Sequence, residues 1–126
     1  MLPDPHRQSY LAFQERLDQL QTLVGKANPA PAQLLQVFLE AQQFFQVQVL
    51  GLDAEVLPLE TEQQLRAYQT EIQRELRLLG TDLSFLQAAR KPETVQQRQG
   101  QIQQRLATLS RYCKAILGEG GEGAGA

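Results

Sequence analysis

Apolar residues recur along the chain with the period of an α-helix, and Pro and Gly residues divide the pattern into four segments. The first segment opens at Asp4-Pro5, where Asp4 offers a side-chain cap and Pro5 suits a first helical turn, and it ends at Gly25. Its apolar residues are three and four positions apart: Tyr10, Phe13, Leu17, Leu20 and Val24. This spacing predicts one amphipathic helix with a single apolar face.

The second segment, from about Ala32 to Leu50, is apolar around much of its circumference and carries one charge, on Glu40. A helix of this kind lies centrally in its domain or is covered by another molecule. The connector that follows, residues 52–60, is apolar and acidic, and its Pro58 prevents a continuous helix.

The last two segments are the longest. The third, from about Thr61 to Arg90, has a near-heptad seam of Leu, Tyr and Ile, and its internal Gly80 predicts a kink or break at residues 80–82. The fourth begins at Pro92 and ends at Leu117. Residues 118–126 are Gly-rich and contain no core-forming side chain, so we expect a disordered tail.

These lengths predict the architecture. At 1.5 Å per residue the last two helices reach about 38–45 Å and the first two about 30 Å, which leaves an overhang of about 10 Å. The connector, a second copy of the chain or a partner must cover the apolar seam of that overhang. We expect an all-α, antiparallel four-helix bundle over residues 1–117, a single domain, with a long hairpin of helices 3 and 4 and some dimerisation. The alternative is a three-helix bundle with an irregular second arm.

Composition agrees with helices and excludes several function classes. The 126 residues include 21 Gln and 21 Leu, which keep their rotamer freedom in a helix. A net charge of −2 argues against a nucleic-acid-coating protein, and one Cys and one His exclude a disulfide framework and an ordinary zinc site. The uncharged stretch from Ala41 to Leu52 is too short to span a bilayer, and the first twenty residues lack the apolar run of a signal peptide. We expect a cytoplasmic protein.

No set of catalytic or cofactor-binding residues is visible. His6 opens the first helix, where an exposed terminal side chain is expected, and Cys113 falls on the apolar seam of the fourth helix, where a buried, inert thiol is expected. The Glu-x-x-His pair of a di-iron bundle does not occur. We therefore predict no enzymatic activity, no metal and no cofactor.

Charge is segregated along the chain. Six of the twelve Lys and Arg residues lie between Arg90 and Lys114, where Glu93 is the only acidic residue. Because Lys91, Arg98 and Arg105 are seven residues apart, we expect them along one edge of the fourth helix. That edge is either a solvated flank or a docking strip for an acidic protein surface. As a docking strip, its candidate partner-binding residues are Lys91, Arg98, Arg105, Arg111 and Lys114.

The order of the segments resembles the PatD family of cyanobacteria. The resemblance lies in QSYLAFQERLDQLQTLV, a Pro-rich turn, QLLQVFLEAQQFFQ, an acidic connector and a final Leu/Arg helix. It implies a non-enzymatic cytosolic protein that contacts the tubulin-like division protein FtsZ and modulates its assembly. Through that contact the protein would influence cell division and, in filamentous species, heterocyst frequency. The alternative is a small assembly chaperone or scaffold that holds an apolar client on its second helix, through Phe38, Phe44, Phe45 and Val47.

Overall fold

The protein is a bundle of four helices. The computed structural model describes residues 2–27, 30–52 and 56–118, and these ranges contain no strand. The helices are α1 (Asp4–Val24), α2 (Pro31–Phe44), α3 (Leu59–Ala88) and α4 (Pro92–Leu117). A single π-helical turn, Phe45–Val49, continues α2, and we call it the π turn. The all-α, four-helix prediction is confirmed, and the second segment is helical rather than an irregular arm.

Each helix packs against its neighbours in the chain, and α4 packs back against α1. Two hydrogen bonds show that α1 and α4 are antiparallel: the Gln14 amide donates to the Ser110 hydroxyl over 3.2 Å, and the Gln99 amide donates to the Val24 carbonyl over 3.1 Å. Helices α1 and α3 therefore lie diagonally across the bundle.

Proline and glycine set the helix ends. Pro31 and Pro92 are the first residues of α2 and α4, where a missing N–H costs no hydrogen bond. Gly118 ends α4 with φ of 78°, a left-handed conformation that glycine adopts without strain. The predicted side-chain cap at Asp4 is wrong, because α1 begins at Asp4 itself after Pro3. The Asp4 carboxylate instead lies in the first turn, where it interacts favourably with the positive end of the helix dipole. The predicted tail lies outside the described residues from position 119 onward, as does the Asn28-Pro29 part of the first turn.

The predicted apolar stripes meet in one continuous core. Its centre includes the tilted pair Phe13 and Phe45, whose ring centroids are 5.0 Å apart. His6 also faces this core: it is buried, and neither ring nitrogen has a hydrogen-bonding partner among the described residues. The expectation of an exposed His6 is therefore wrong. His6 stands four residues before Tyr10 and so continues the apolar face of α1 by one turn.

Helix α3 runs without interruption through Gly80, so the predicted break is wrong. The structure shows a packing reason for the glycine. A Cβ atom added at Gly80 would lie 3.0 Å from Cζ of Phe38 in α2, which is closer than such atoms normally approach. Gly80 therefore lets the aromatic ring of Phe38 pack directly against the backbone of α3.

Gly80→Ala should lower the free energy of unfolding, by roughly 1–3 kcal/mol, because the added methyl group must displace the Phe38 ring. This loss exceeds the small gain expected from a better helix former. Urea denaturation checks it, with the exposed neighbour change Thr81→Ala as the control. Phe38→Leu in the Gly80→Ala background should restore part of the lost stability, and an unchanged stability of Gly80→Ala itself would contradict the packing role.

Candidate functional site

The five cationic residues predicted to bind a partner do not form one surface. Lys91 and Arg98 lie where the α3–α4 hairpin turns, Lys91 as the residue before α4 and Arg98 within its second turn. Arg111 and Lys114 lie beside a shallow groove between α4 and α1, which Asp18 also lines. From Arg98 to Arg111 the helix rises about 20 Å.

Arg105, the fifth predicted residue, is held inside the chain by two buried carboxylates of α3. Its Nε donates to Oδ2 of Asp82, and its Nη1 lies 3.3 Å from Oε1 of Glu75. Burial by itself lowers the pKa of Arg105, but the hydrogen bonds and charges of Asp82 and Glu75 outweigh it and raise that pKa above the ordinary value. Only 21% of the Arg105 side chain is exposed. The seven-residue spacing correctly placed it on the edge of α4, but this part of the edge packs on α3.

Arg98 keeps contact with solvent and stacks on an aromatic ring. Its guanidinium carbon is 4.6 Å from the ring centroid of Phe85 in α3, and Phe85 is 49% exposed. A cation over an aromatic face is attracted by the ring quadrupole, so Phe85 holds the guanidinium near one position. The pair lies at the end of the hairpin, close in sequence to the exposed Arg90 and Lys91.

Helix α4 begins well beyond the point where α1 ends, and this overhang creates a concavity. Because Gln99 contacts the Val24 carbonyl at the end of α1, residues 92–98 extend past α1 by about 10 Å. The concavity encloses about 700 Å³, and we call it the terminal concavity. Lys26 and Arg90 stand among its lining residues, the half-buried Val95 contributes apolar surface, and no described residue that lines it is acidic.

Gln99 fixes the inner wall of the terminal concavity. Its amide nitrogen donates to the carbonyl oxygens of Val24 and Lys26 over 3.1 and 3.2 Å, which satisfies two of the carbonyls left free at the end of α1. Lys26 and this concavity are not among the site residues predicted from the sequence. One signal in the sequence indicates this grouping. Lys26 follows the Gly25 stop at the end of the first helix, and the fourth helix is predicted to be longer than the first, so that it extends past that end.

The aromatic residues proposed to hold an apolar client are mostly covered. Phe38 and Phe45 are buried in the core, and the half-buried Phe44 lies beneath Arg16, whose guanidinium carbon is 4.0 Å from the ring centroid. Val47, in the π turn, is 57% exposed. Of the four residues proposed to hold a client, Val47 and part of Phe44 are thus accessible, and Leu39 on the same helix is 51% exposed.

The buried thiol of Cys113 and the buried hydroxyl of Tyr10 are protonated at neutral pH and are therefore poor nucleophiles. Burial raises the pKa of the Cys113 thiol to about 12, and burial likewise raises the pKa of the Tyr10 hydroxyl to about 12. Within residues 2–27, 30–52 and 56–118, no group of three or more His, Cys, Asp or Glu residues is arranged to hold a metal ion. No helix in these ranges is long and apolar enough to cross a membrane.

Comparison with known protein families identifies a match. The model of the CRR41 C-terminal domain family matches residues 14–111, from the middle of α1 to the last turns of α4. No curated protein and no solved structure matches the chain. The matched range includes the terminal concavity, the Arg105 ion pairs and the hairpin turn.

Arg105→Met should destabilise the protein by about 3 kcal/mol, because it leaves the buried Asp82 carboxylate without this cation and leaves Glu75 only the contact with Arg74, 3.8 Å away. Arg111→Met, on the exposed face of the same helix, is the matched control and should change stability by less than about 0.5 kcal/mol. Chemical denaturation of both variants measures the difference. Equal stabilities would show that the buried ion pairs contribute nothing net to the fold.

Proposed function

The chain belongs to the CRR41 C-terminal domain family, and we propose that it acts as a non-enzymatic protein–protein interaction module. The observation that carries this proposal is the gathering of Lys26, Arg90, Lys91 and Arg98 at one end of the bundle, which we call the basic end. Glu93 is the one acidic residue in the first turn of α4. A local excess of positive charge on a protein of net charge −2 accelerates encounter with an acidic surface and orients it.

FtsZ is the partner that we propose first, in the cytoplasm. The resemblance of the ordered segments to the PatD family supports this choice, since the family description that matches the chain names no partner. By binding FtsZ, the protein would modulate filament assembly and thereby cell division, and heterocyst frequency in a filamentous cyanobacterium. The acidic surfaces expected of an FtsZ-type filament suit the basic end.

Two features of the basic end favour binding over mere solvation. Arg98 is stacked on Phe85, so less side-chain freedom is lost when its guanidinium meets a carboxylate. Phe85, at the same place, adds a large half-exposed apolar surface beside the charge. Aromatic residues, phenylalanine included, and arginine are both enriched at protein–protein interfaces.

The test is co-sedimentation of the protein with assembled FtsZ, using two charge-reversed double variants. Lys91→Glu with Arg98→Glu should weaken binding at least about tenfold, since both cations lie at the basic end. Arg111→Glu with Lys114→Glu is the matched control, because it makes the same change of charge on a face about 20 Å away. Circular dichroism confirms that both variants are folded.

Added salt should also weaken wild-type binding, because exposed charges are screened over about 8 Å at physiological ionic strength. Arg105 is left unchanged in these variants because its ion pairs support the fold. Equal loss of binding in the two double variants would mean that net charge, rather than the basic end, governs the interaction. Absence of wild-type binding would remove FtsZ as the partner.

The second candidate function is that of an assembly chaperone or scaffold for an apolar client. The exposure of Val47 beside the half-buried Phe44 favours it. A client held there would bind in a salt-insensitive way and would be lost in Val47→Asp, whereas the variants at the basic end would still bind. The two candidates therefore predict opposite patterns in the same co-sedimentation series.

Self-association along the α3–α4 hairpin is the remaining part of the proposal. The exposed ring of Phe85 on this hairpin supports it. Sedimentation equilibrium should show a concentration-dependent dimer, and a monomer at all concentrations would contradict it.

A further inference from the structure

Gly100 lies in the interior of α4 and lines the terminal concavity. A glycine in a helix interior destabilises the helix relative to alanine, so its presence calls for a reason. At Gly80 the reason is packing, because an added Cβ would crowd Phe38. At Gly100 an added Cβ would meet nothing within 4 Å. The fold itself therefore does not require this glycine.

The missing side chain leaves the backbone of α4 open toward the concavity. Close approach of another chain to a helix backbone is one of the conditions that glycine meets and alanine does not. Gln96 and Gln103 flank Gly100 at one helical turn on either side, and both line the concavity. Gln99 is bonded to the end of α1, whereas the amides of Gln96 and Gln103 make no hydrogen bond to a described residue. A glutamine amide both donates and accepts, so this pair suits the N–H and C=O groups of an extended peptide.

The charges of the concavity select the side chains of that peptide. Lys26 and Arg90 line it, and no described lining residue carries a compensating carboxylate. An acidic segment would therefore gain two opposite charges on entering, while a basic one would be repelled. The half-buried Val95 offers apolar surface for a small apolar side chain between the acidic ones.

We propose that the terminal concavity binds an extended acidic segment of a partner protein, whose backbone passes α4 at Gly100. This inference rests on the proposed interaction function and adds where the acidic segment docks and in which conformation.

The experiment is a titration of the isotope-labelled full chain, followed by amide chemical shifts, with a twelve-residue peptide in which Glu and Ala alternate. A peptide with Gln in place of Glu is the ligand control. We expect shifts at Gly25, Lys26 and Gly100 with the acidic peptide alone. Gly100→Leu should weaken binding at least about tenfold, because the new side chain fills the approach to the backbone. Shifts centred on Arg111 and Lys114 would overturn the proposal, as would peptide binding unchanged in Gly100→Leu.

Gly100→Ala separates binding from folding. It should raise the melting temperature by about 3 °C, as expected for a better helix former in open space. It should nevertheless weaken peptide binding severalfold, and a gain in both stability and affinity would contradict the proposal.

The same variants measured with FtsZ keep the two proposals separate. FtsZ that fails to bind wild type removes that partner, while the peptide titration still decides whether the concavity binds acidic segments. FtsZ that binds Gly100→Leu as tightly as wild type removes the concavity as the docking place and leaves the rest of the basic end. A wild-type dimer that becomes monomeric in Gly100→Leu would overturn the partner assignment in favour of a second copy of the chain.

Discussion

The pairing of Arg105 with Asp82 and Glu75 is the constraint on which the rest of the bundle depends. It joins the middle of α4 to α3. If α4 slid along α3, Arg105 would move away and leave the two carboxylates buried without it, at a large desolvation cost. Apolar seams built from Leu alone tolerate sliding by a heptad, whereas this pair does not. The ion pairs thus fix how far the two longest helices are offset from each other.

The position of the basic end follows from the offset between α3 and α4. With the hairpin register fixed, and with Gln99 bonded to the end of α1, the first turns of α4 must project past α1. The projecting turns carry Arg98. Arg90, in the loop between α3 and α4, and Lys26, in the loop between α1 and α2, both line the terminal concavity beside these turns. Arg105, which the sequence predicts to bind a partner, therefore acts instead as the residue that positions the cations of the basic end.

The helices could be predicted from sequence because their signals are local. Apolar spacing, a first-turn proline and a stop glycine each act within a few residues, and they located α1, α3 and α4 closely. The misassignments concern residues whose role depends on a neighbour from elsewhere in the chain. Gly80 reads locally as a helix breaker, and only the ring of Phe38 explains it. His6 reads as a polar terminal residue, and only its register with Tyr10 shows that it faces the core.

The candidate site was predicted in part for the same reason. Heptad spacing identifies an edge of α4, but spacing does not say whether that edge meets solvent or another helix. Lys91 and Arg98 meet solvent, and Arg105 meets α3. Lys26 could not be grouped with them from spacing at all, because it is more than sixty positions away in the chain. Tertiary structure alone brings it to the concavity.

The π turn has a consequence for chain length. The Leu50 N–H donates to the Phe45 carbonyl over 2.9 Å, so one turn contains an additional residue compared with an α-helix. Gly51 supports this turn, because a Cβ there would overlap the carbonyl oxygen of Val47. A homologue that lacks one residue here would continue α2 as an α-helix, and its later residues would keep their faces because the wide turn is what accommodates the additional residue. Alignments of this family should therefore place a one-residue gap within residues 45–49, where it changes the exposed surface near Val47 and leaves the three other helices in register.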